Sequence, residues 1–456
     1  MQGQSTWSYA PYKPFLWETG DIYICRIAPS QNTVHFEWLD IGETYTVFCR
    51  MRGEETFSVC GETNDTAFDI KGLQTDTDYE FFVAAGGKKS RVRLARTGET
   101  VGTVVNYLHP EDNAYLFSGK YLCSPSLLRL PDGTLLASMD VYATGMPQNL
   151  TLIFRSEDNG NTWHYQSELM PCFWGKMFLH EGDVYMLSVS TEYGDLLIGR
   201  STDGGKTFSA PTTLLRGSNG KSGTVGVHKN PQNIIRHGGR IYETLEWGSW
   251  GNTDYYHAAM VMSAKEDADL LLPESWHFTP PVKYDPTWEG AAPDGCKGNI
   301  EGTLCVAPDG KLYNYMRYQT SEKKILAYLV NTEEPDAPIS YSHAVAFPGN
   351  LSKFMIKKDA ANGKYYSIVS RRIDEPATRR NLLSLLVSDD IANWSVVCDL
   401  LDYRHDNINK IGFQYVDFEI EGEDIIFLCR TAMNNAHNFH DSNYSTFHRI
   451  KNFRTL

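Results

Sequence analysis

The amino-acid sequence predicts an all-β protein, in which a β-sandwich at residues 1–100 precedes a six-bladed β-propeller at residues 101–456. Two observations predict this fold class. Short runs of alternating apolar and polar residues, such as TVHFEWL and TYTVFCRM, fill the first hundred positions, and a period of two is typical of half-buried strands. One strand–turn–strand phrase then recurs six times, and a repeated hairpin with loops of variable length is typical of a propeller.

The composition limits the possible functions. The chain carries a net charge of −14 and has no basic run, so we expect neither nucleic acid nor a membrane surface as a partner. No apolar stretch approaches the roughly 20 residues of a membrane-spanning helix. The N-terminal stretch MQGQSTWSYAPYKP lacks the basic and apolar regions of a signal peptide. This predicts a cytoplasmic protein, or a secreted or periplasmic one if a signal peptide has been removed ahead of this sequence.

The cysteine and histidine spacings predict no metal site. The nine cysteines follow no framework spacing, which indicates mostly free, buried thiols in a reducing compartment. The sequence contains neither a CxxC nor an HExxH motif. We therefore expect no bound metal and no cofactor.

The repeated phrase of the propeller is an apolar strand, a tight turn with Gly or Asp, and a second apolar strand. Turn residues of these types adopt the backbone conformations that a β-hairpin needs. Six hairpins closed into a ring protect their sheet edges. The copies are LLRLPDGTLLASM, MFLHEGDVYMLSV, IIRHGGRIYETLE, LCVAPDGKLYNYM, MIKKDAANGKYYSIV and FEIEGEDIIFLCR.

A second phrase occurs as SEDNGNTW around Asp158, as STDGGKTF around Asp203 and, less perfectly, as SDDIANW. It resembles the Asp box of sialidase-like propellers, which lies in the hairpin between the last two strands of a blade. The resemblance implies that Asp158 and Asp203 bind local backbone amides. It also implies that Trp163 and Phe208 pack between blades, so these phrases are expected to stabilise the fold away from the active site.

In the first domain, GLQTDTDYEFF places Leu73, Thr77 and Tyr79 at a spacing that resembles the fibronectin type III domain. In that domain a tyrosine near the start of a late strand bonds back to the preceding loop. The resemblance implies a module without chemistry of its own. It is either a sugar-binding or docking module, or a spacer that packs against the propeller.

The first strand of each blade lines the central channel of a propeller, so polar residues at the starts of these strands can share one cavity. Such residues are costly to bury near other ionisable groups and are typical of a functional site. Here they are His228, Lys229, Glu301, Lys353, Gln414 and Tyr415.

Two stretches resemble the active-site pattern of sialidases. NIEGTLCVAPDGKLYNYMR places Glu301 at the start of an inner strand and Arg317 at the end of the next strand, and QYVDFEIEGEDI offers Tyr415 before the last turn. The resemblance implies that Tyr415 is the nucleophile, that Glu301 removes its proton and that Arg317 contacts the substrate carboxylate. A plain ion pair between Glu301 and Arg317 is the alternative.

Two positions depart from the sialidase pattern. The phrase YLCSPSLL has Cys123 where the family has an arginine that binds the substrate carboxylate. Lys353, Arg371, Arg372 and Arg430 are candidates to replace it. The stretch VYATGMPQNLTLIFRS contains no acidic residue, although the family has its catalytic acid there.

Histidines indicate a second possible chemistry. VHKNPQNII places His228 at the start of an inner strand, and HNFHDSNYSTFHR places His440 near the end of the chain. Together with GFQYVDF, these stretches resemble bacterial Asp-box proteins and, more loosely, propeller enzymes that cut rhamnose–glucuronate linkages with a histidine. His228 is therefore either a proton donor or base, or a structural residue. Gln414 and His440 are candidate substrate contacts, and Trp247 is either a sugar-stacking platform or part of the packing between blades.

These patterns together predict a carbohydrate-active enzyme. The best-supported interpretation is an exo-acting glycoside hydrolase of sialidase-like type, which acts on the non-reducing end of an oligosaccharide or polysaccharide with an acidic sugar. A polysaccharide lyase or rhamnosidase that acts at a rhamnose–glucuronate linkage with His228 as base is one alternative. A non-catalytic glycan-binding propeller is the other.

Overall fold

The computed structural model describes residues 8–11, 22–218, 223–291 and 298–456. The N-terminal stretch that lacks signal-peptide features lies mostly outside these ranges, as does Cys296. The described strands form eight sheets, which confirms the predicted all-β fold class. Two 3-10 helices occur in these ranges, at Pro273–Ser275 and Phe453–Thr455. None of the helices described has the length and apolar character of a membrane span.

Six of the sheets are the blades of the propeller, and each runs antiparallel from the channel outward. Blade 1 contains Tyr121–Arg129, Leu135–Tyr142, Leu150–Ser156 and His164–Met170. Blade 2 contains Phe173–His180, Asp183–Val189, Leu196–Ser201 and Thr212–Leu215. Blade 3 contains Gly226–His228, Ile235–His237, Arg240–Gly248, His257–Lys265 and Trp276–Phe278.

The remaining blades come from the second half of the chain and one earlier strand. Blade 4 contains Asn299–Val306, Leu312–Tyr318, Lys324–Leu329 and Ser340–Ala346. Blade 5 contains Lys357–Lys358, Tyr365–Ser370, Leu382–Ser388 and Ser395–Asp402. Blade 6 contains Gly412–Glu421, Asp424–Ala432, Tyr444–Ile450 and, at its outer edge, Thr103–Tyr107. Because this last strand comes from the start of the propeller, its pairing with Tyr444–Ile450 closes the ring.

Two further sheets form the N-terminal sandwich. One contains Ile24–Pro29, Thr33–Trp38 and Ala67–Lys71, and the other contains Tyr45–Met51, Ser58–Thr63, Asp78–Ala85, Lys88–Lys89 and Arg93–Arg96. Phe36 and Trp38 of the first sheet share a buried apolar cluster with Phe81 of the second. As expected for a tyrosine at this position, the Tyr79 hydroxyl accepts a hydrogen bond from the Gln74 backbone N–H at 2.9 Å.

The sandwich packs against the propeller through buried polar contacts. Arg26 Nε donates to the Val105 carbonyl at 2.8 Å, and Arg93 Nε donates to Asp112 Oδ2 at 2.7 Å. Ser8–Pro11, which falls within the predicted first domain, pairs instead with the outer strand of blade 1. The N-terminal hundred residues are therefore attached to the ring at several points.

The phrase around Asp158 and Asp203 forms the turn between the third and fourth strands of blades 1 and 2. In each turn the aspartate Oδ1 accepts a hydrogen bond from the backbone N–H four residues later, at 2.9 Å. The Trp163 ring is fully buried and lies 5.5 Å from the Phe447 ring of blade 6. These aspartates therefore stabilise turns, and the aromatic residue packs between neighbouring blades.

Gly160 tests this contact between blades 1 and 6. Its φ is +88°, and a Cβ atom there would overlap Cε1 of the Phe447 ring, so Gly160→Ala combines backbone strain with a steric clash. We expect the free energy of unfolding to fall by about 1–2 kcal/mol because of the strain and by about 1–3 kcal/mol more because of the clash. Calorimetry would detect this loss as a fall in Tm.

Gly133→Ala is the matched control for that substitution. Gly133 has a similar φ of +92°, but nothing lies within 4 Å of the place that an alanine methyl group would take. The control should show the strain alone. Equal falls in Tm for the two variants would contradict tight packing between these blades.

Candidate active site

The first strands of four blades carry equivalent β-bulges. The residues with positive φ at these bulges are Ser124, Trp174, Glu301 and Tyr415, with φ values of +49°, +51°, +55° and +56°. The strand register shifts beside each of them. A bulge re-aims a side chain out of the alternating pattern of its strand, and strain at non-glycine residues is typical of functional sites.

Three of these bulge residues line one cavity of about 630 Å³. This volume lies in the range of small-ligand sites. Blades 1, 2 and 3 supply an aromatic wall of Tyr142, Phe173, Trp174, Tyr193 and Trp250. The ionisable side chains that line the cavity include those of Glu192, His228, Glu301, Tyr415, Arg430 and His440.

Tyr415 and Glu301 line this cavity and form one hydrogen-bonded group with Arg317, which is not among the described residues of the lining. The Tyr415 hydroxyl donates to Glu301 Oε1 at 2.6 Å, and Arg317 Nη1 donates to Glu301 Oε2 at 2.5 Å. Arg317 Nη1 also donates to the Tyr415 oxygen at 3.2 Å. A phenol whose proton faces a carboxylate and whose oxygen faces a guanidinium can be activated as a nucleophile.

Burial and the neighbouring charges set the pKa values of this group. Burial raises the pKa of Tyr415, and Glu301 raises it further against the opposing effect of nearby arginines. Burial also acts to raise the pKa of Glu301, but Arg317 and His228 outweigh it and hold that pKa below its usual value. At neutral pH the site therefore holds a neutral phenol beside an ionised carboxylate.

Two further arginines face the Tyr415 ring. The guanidinium carbons of Arg430 and Arg380 lie 5.1 and 5.7 Å from the ring centre. Burial lowers the pKa of Arg380 to about 10, so it remains charged at neutral pH. Arg380 Nη1 donates to Gln414 Oε1, which makes Gln414 a support for this arginine. With Arg317, three guanidinium groups lie near the phenol, and Arg430 is the one among the described residues that lines the cavity, where its charge favours an anionic ligand.

His228 forms a second polar group in the cavity wall. Its Nδ1 donates to Glu246 Oε2, and Glu246 Oε1 accepts a hydrogen bond from the Gly302 backbone N–H at 3.1 Å. The Trp174 ring lies 4.3 Å from the imidazole. Because the carboxylate holds Nδ1, Nε2 is the nitrogen that can meet a ligand.

Further along the channel, charged side chains are buried outside the cavity lining. Lys176 Nζ donates to Asp417 Oδ2 at 2.6 Å, whereas Lys353 Nζ donates to the Val416 carbonyl at 3.2 Å. Burial lowers the pKa of Lys353 to about 7 and raises that of Glu243 to about 8. Lys353, a candidate substrate contact in the sequence, is thus placed in this buried cluster.

Other candidate substrate contacts occupy different places. Arg371 donates to both carboxylate oxygens of Asp399, at 2.6 and 2.8 Å, and it is not among the described residues that line the cavity. Trp247 packs in an apolar cluster of blades 2 and 3, in agreement with the packing alternative. His440 does line the cavity, with its Nδ1 bonded to Asp441 Oδ1 at 2.8 Å.

Three residues of the site are not evident from local sequence reasoning: Trp174, Glu192 and Arg380. A signal existed for Trp174, because its place in PCFWGKMF matches that of Glu301 in GNIEGTL and of Tyr415 in GFQYVDF. Glu192 and Arg380 lie in segments between strands, where no repeated pattern marks the inward-facing position.

No protein-family model matches this sequence, and no curated protein is similar to it. A Hadza microbial sialidase has a similar structure, with a TM-score of 0.52, 12% identity and coverage of 94% of both chains. The α-L-arabinanase of Penicillium chrysogenum, solved with arabinobiose, has a TM-score of 0.51 at 13% identity, over 78% of this chain and 99% of that one. At these identities the likeness shows the fold alone, a sialidase-like β-propeller.

Lys353 should make stability depend on pH. In the folded chain it releases its proton near pH 7, through burial, whereas an unfolded lysine keeps its proton up to about pH 10.4. Above pH 7 the unfolded chain therefore binds more protons, and stability rises with pH. Lys353→Met should remove a slope of up to about 1.4 kcal/mol per pH unit, measured by denaturant unfolding above about pH 8.

Because the pKa of Glu243 is about 8, the slopes are compared between about pH 9 and 10, where Glu243 is mostly ionised and its own titration contributes little. Lys358→Met is the matched control, because Lys358 is exposed. The control should keep the slope of the parent protein. A Lys353→Met variant with the slope of the parent would contradict the buried, easily deprotonated amine.

Proposed function

We propose that this protein is an exo-acting, retaining glycoside hydrolase of sialidase-like type that removes an acidic sugar from the non-reducing end of a glycan. The observation that carries the proposal is the hydrogen bond of 2.6 Å from the Tyr415 hydroxyl to Glu301, in a cavity where arginines surround the phenol. The fold shared with a solved sialidase is consistent with it.

The choice of a tyrosine suits an anionic substrate. A sugar carboxylate next to the reacting carbon repels a carboxylate nucleophile, whereas a neutral phenol approaches without that repulsion. Arg430 lines the cavity and can bind the substrate carboxylate through hydrogen bonds, while the buried Arg317 and Arg380 add positive charge nearby. The site therefore combines an acceptor for the substrate charge with an uncharged attacking group.

The reaction has two steps. Tyr415 Oη attacks the anomeric carbon and passes its proton to Glu301, while the glycosidic C–O bond breaks and the leaving oxygen takes a proton from an acid in the cavity wall. Water then attacks the same carbon and gives a proton to the conjugate base of that acid, the bond to Tyr415 breaks, and the phenolate regains its proton from Glu301. His228 and Glu192 both line the wall and can carry the proton of the leaving group.

A specific observation supports a polysaccharide lyase as the second candidate. The bond from His228 Nδ1 to Glu246 orients an imidazole whose Nε2 can remove the proton next to a uronate carboxylate. An arginine would neutralise that carboxylate, and Tyr415 would protonate the leaving oxygen. This reaction adds no water and leaves a carbon–carbon double bond in the product.

Products formed in heavy-oxygen water separate the two candidates. With 3′-sialyllactose as probe, we expect a released sugar that carries one heavy oxygen, detected by mass spectrometry. A rhamnose–glucuronate oligosaccharide is the parallel probe for elimination. An unsaturated product without heavy oxygen would contradict the hydrolase and support the lyase, and binding of both probes without any product would favour a glycan-binding propeller.

Tyr415→Phe removes the attacking oxygen. We expect kcat on 3′-sialyllactose to fall by about 10³-fold or more, with little change in the dissociation constant, because the lost interaction belongs to the transition state. Steady-state kinetics and calorimetric titration give the two quantities.

Tyr313→Phe is the matched control, since Tyr313 is also 8% exposed and its hydroxyl also donates to a carboxylate, Asp309, at 3.0 Å. Tyr313 is not one of the described residues around the cavity, so the control should keep the rate of the parent. Parental activity in Tyr415→Phe would contradict the proposed nucleophile.

A further inference from the structure

Glu192 is the second carboxylic acid of the cavity. Among the described residues that line the cavity, Glu192 and Glu301 are the ones with carboxyl groups. Glu192 lies between the strands Asp183–Val189 and Leu196–Ser201 of blade 2, whereas Glu301 lies on the first strand of blade 4. The two acids therefore reach one cavity from different blades, with blade 3 between those blades.

Glu192 is held by hydrogen bonds from two uncharged side chains. Gln148 Nε2 donates to Glu192 Oε2 at 3.1 Å, and the Trp250 side chain provides a further hydrogen bond. Gln148 Oε1 is buried without a hydrogen-bond partner in the described part of the chain. An amide can donate to a carboxylate or accept from a carboxylic acid, so Gln148 can hold Glu192 in either protonation state.

The two acids have opposite electrostatic environments. Burial raises the pKa of Glu192 above its usual value, against the smaller effects of His228, Gln148 and Trp250. The pKa of Glu301, in contrast, is held down by charged partners. Two carboxyl groups whose environments separate their pKa values are typical of the acid and the base of one reaction.

We propose that Glu192 is the proton donor of the reaction, a role that rests on the glycoside hydrolase function proposed above. In the first step Glu192 gives its proton to the glycosidic oxygen as the C–O bond breaks, and Tyr415 becomes bonded to the anomeric carbon. In the second step the oxygen of a water molecule attacks the anomeric carbon, and the Glu192 carboxylate takes a proton from that water. Each proton is thus returned, and the enzyme ends in its starting state.

His228 has a different position relative to these groups. It lines the same cavity as Glu192 and Glu301. Its Nδ1 is held by Glu246, and its Nε2 is available to bind a sugar hydroxyl. We therefore assign to His228 the binding of a substrate hydroxyl.

Leaving groups of different acidity test the assignment. A 4-methylumbelliferyl glycoside of N-acetylneuraminic acid releases an acidic phenol, which needs little protonation, whereas 3′-sialyllactose releases an alcohol, which needs a proton. For Glu192→Gln we expect kcat/KM on 3′-sialyllactose to fall by about 10²- to 10⁴-fold. Formation of the glycosyl enzyme from the umbelliferyl glycoside, followed as the burst of umbelliferone, should slow by less than about tenfold.

Azide provides a readout that a structural role would not change. Azide can attack the glycosyl enzyme in place of water, and it needs no base to do so. In the Glu192→Gln variant, azide should therefore raise the steady-state rate on the umbelliferyl glycoside, and the product should be a glycosyl azide. Glu181→Gln, at an exposed turn of the same blade, is the control and should behave as the parent on both probes. The Tm of each variant shows whether it is folded.

The outcomes separate the two proposals. Equal losses on both probes, or no loss on either, in a folded Glu192→Gln protein with an active parent would overturn the role of Glu192 alone. If His228→Asn, and not Glu192→Gln, loses activity on 3′-sialyllactose while keeping it on the umbelliferyl glycoside, His228 is the proton donor. That result would also overturn the role of Glu192. A parent protein that turns over neither probe would overturn the proposed sialidase-type activity, and the assignment of Glu192 with it.

Discussion

A buried ion pair between Glu301 and Arg317 is the interaction on which the properties of the cavity depend. Both residues are 4% exposed, and charges buried to this extent are tolerated only when an opposite charge and hydrogen bonds replace water. The same two side chains contact the Tyr415 hydroxyl. The pair therefore keeps an ionised carboxylate in contact with a neutral phenol. Without the arginine, burial would raise the pKa of Glu301 and so disfavour the carboxylate form.

The closed ring explains how these groups meet, although Glu301 and Tyr415 are 114 residues apart. Equivalent bulges in the first strands direct side chains from different blades into one volume, and the pairing of Thr103–Tyr107 with the last strand holds the ring closed. Reacting groups must be held close to their productive geometry. A fold built from repeated, mutually packed blades meets this requirement, while the segments between strands add Glu192 and Arg380 as variable parts.

The parts of the site on repeated strands are predictable from the sequence, whereas the parts on connecting segments are not. Each hairpin phrase marks the start of an inner strand, which is why Glu301 and Tyr415 stand out. Arg371 and Arg380 flank one segment of blade 5, and only the path of that segment brings Arg380 to the phenol ring and Arg371 to a carboxylate on the outer strand. No local pattern marks Glu192, because its hydrogen-bond partners Gln148 and Trp250 come from distant parts of the sequence.

Trapping the covalent intermediate is the most direct test of Tyr415 as nucleophile. In a 2,3-difluoro derivative of N-acetylneuraminic acid, fluoride at C2 leaves readily while fluorine at C3 slows the second step, so a glycosyl enzyme accumulates. After proteolysis, mass spectrometry should find the 3-fluorosialyl group on the peptide that contains Tyr415 and should find none in Tyr415→Phe. A 3-fluorosialyl group on any other residue, or no adduct from a parent protein that hydrolyses 3′-sialyllactose, would contradict the proposed mechanism.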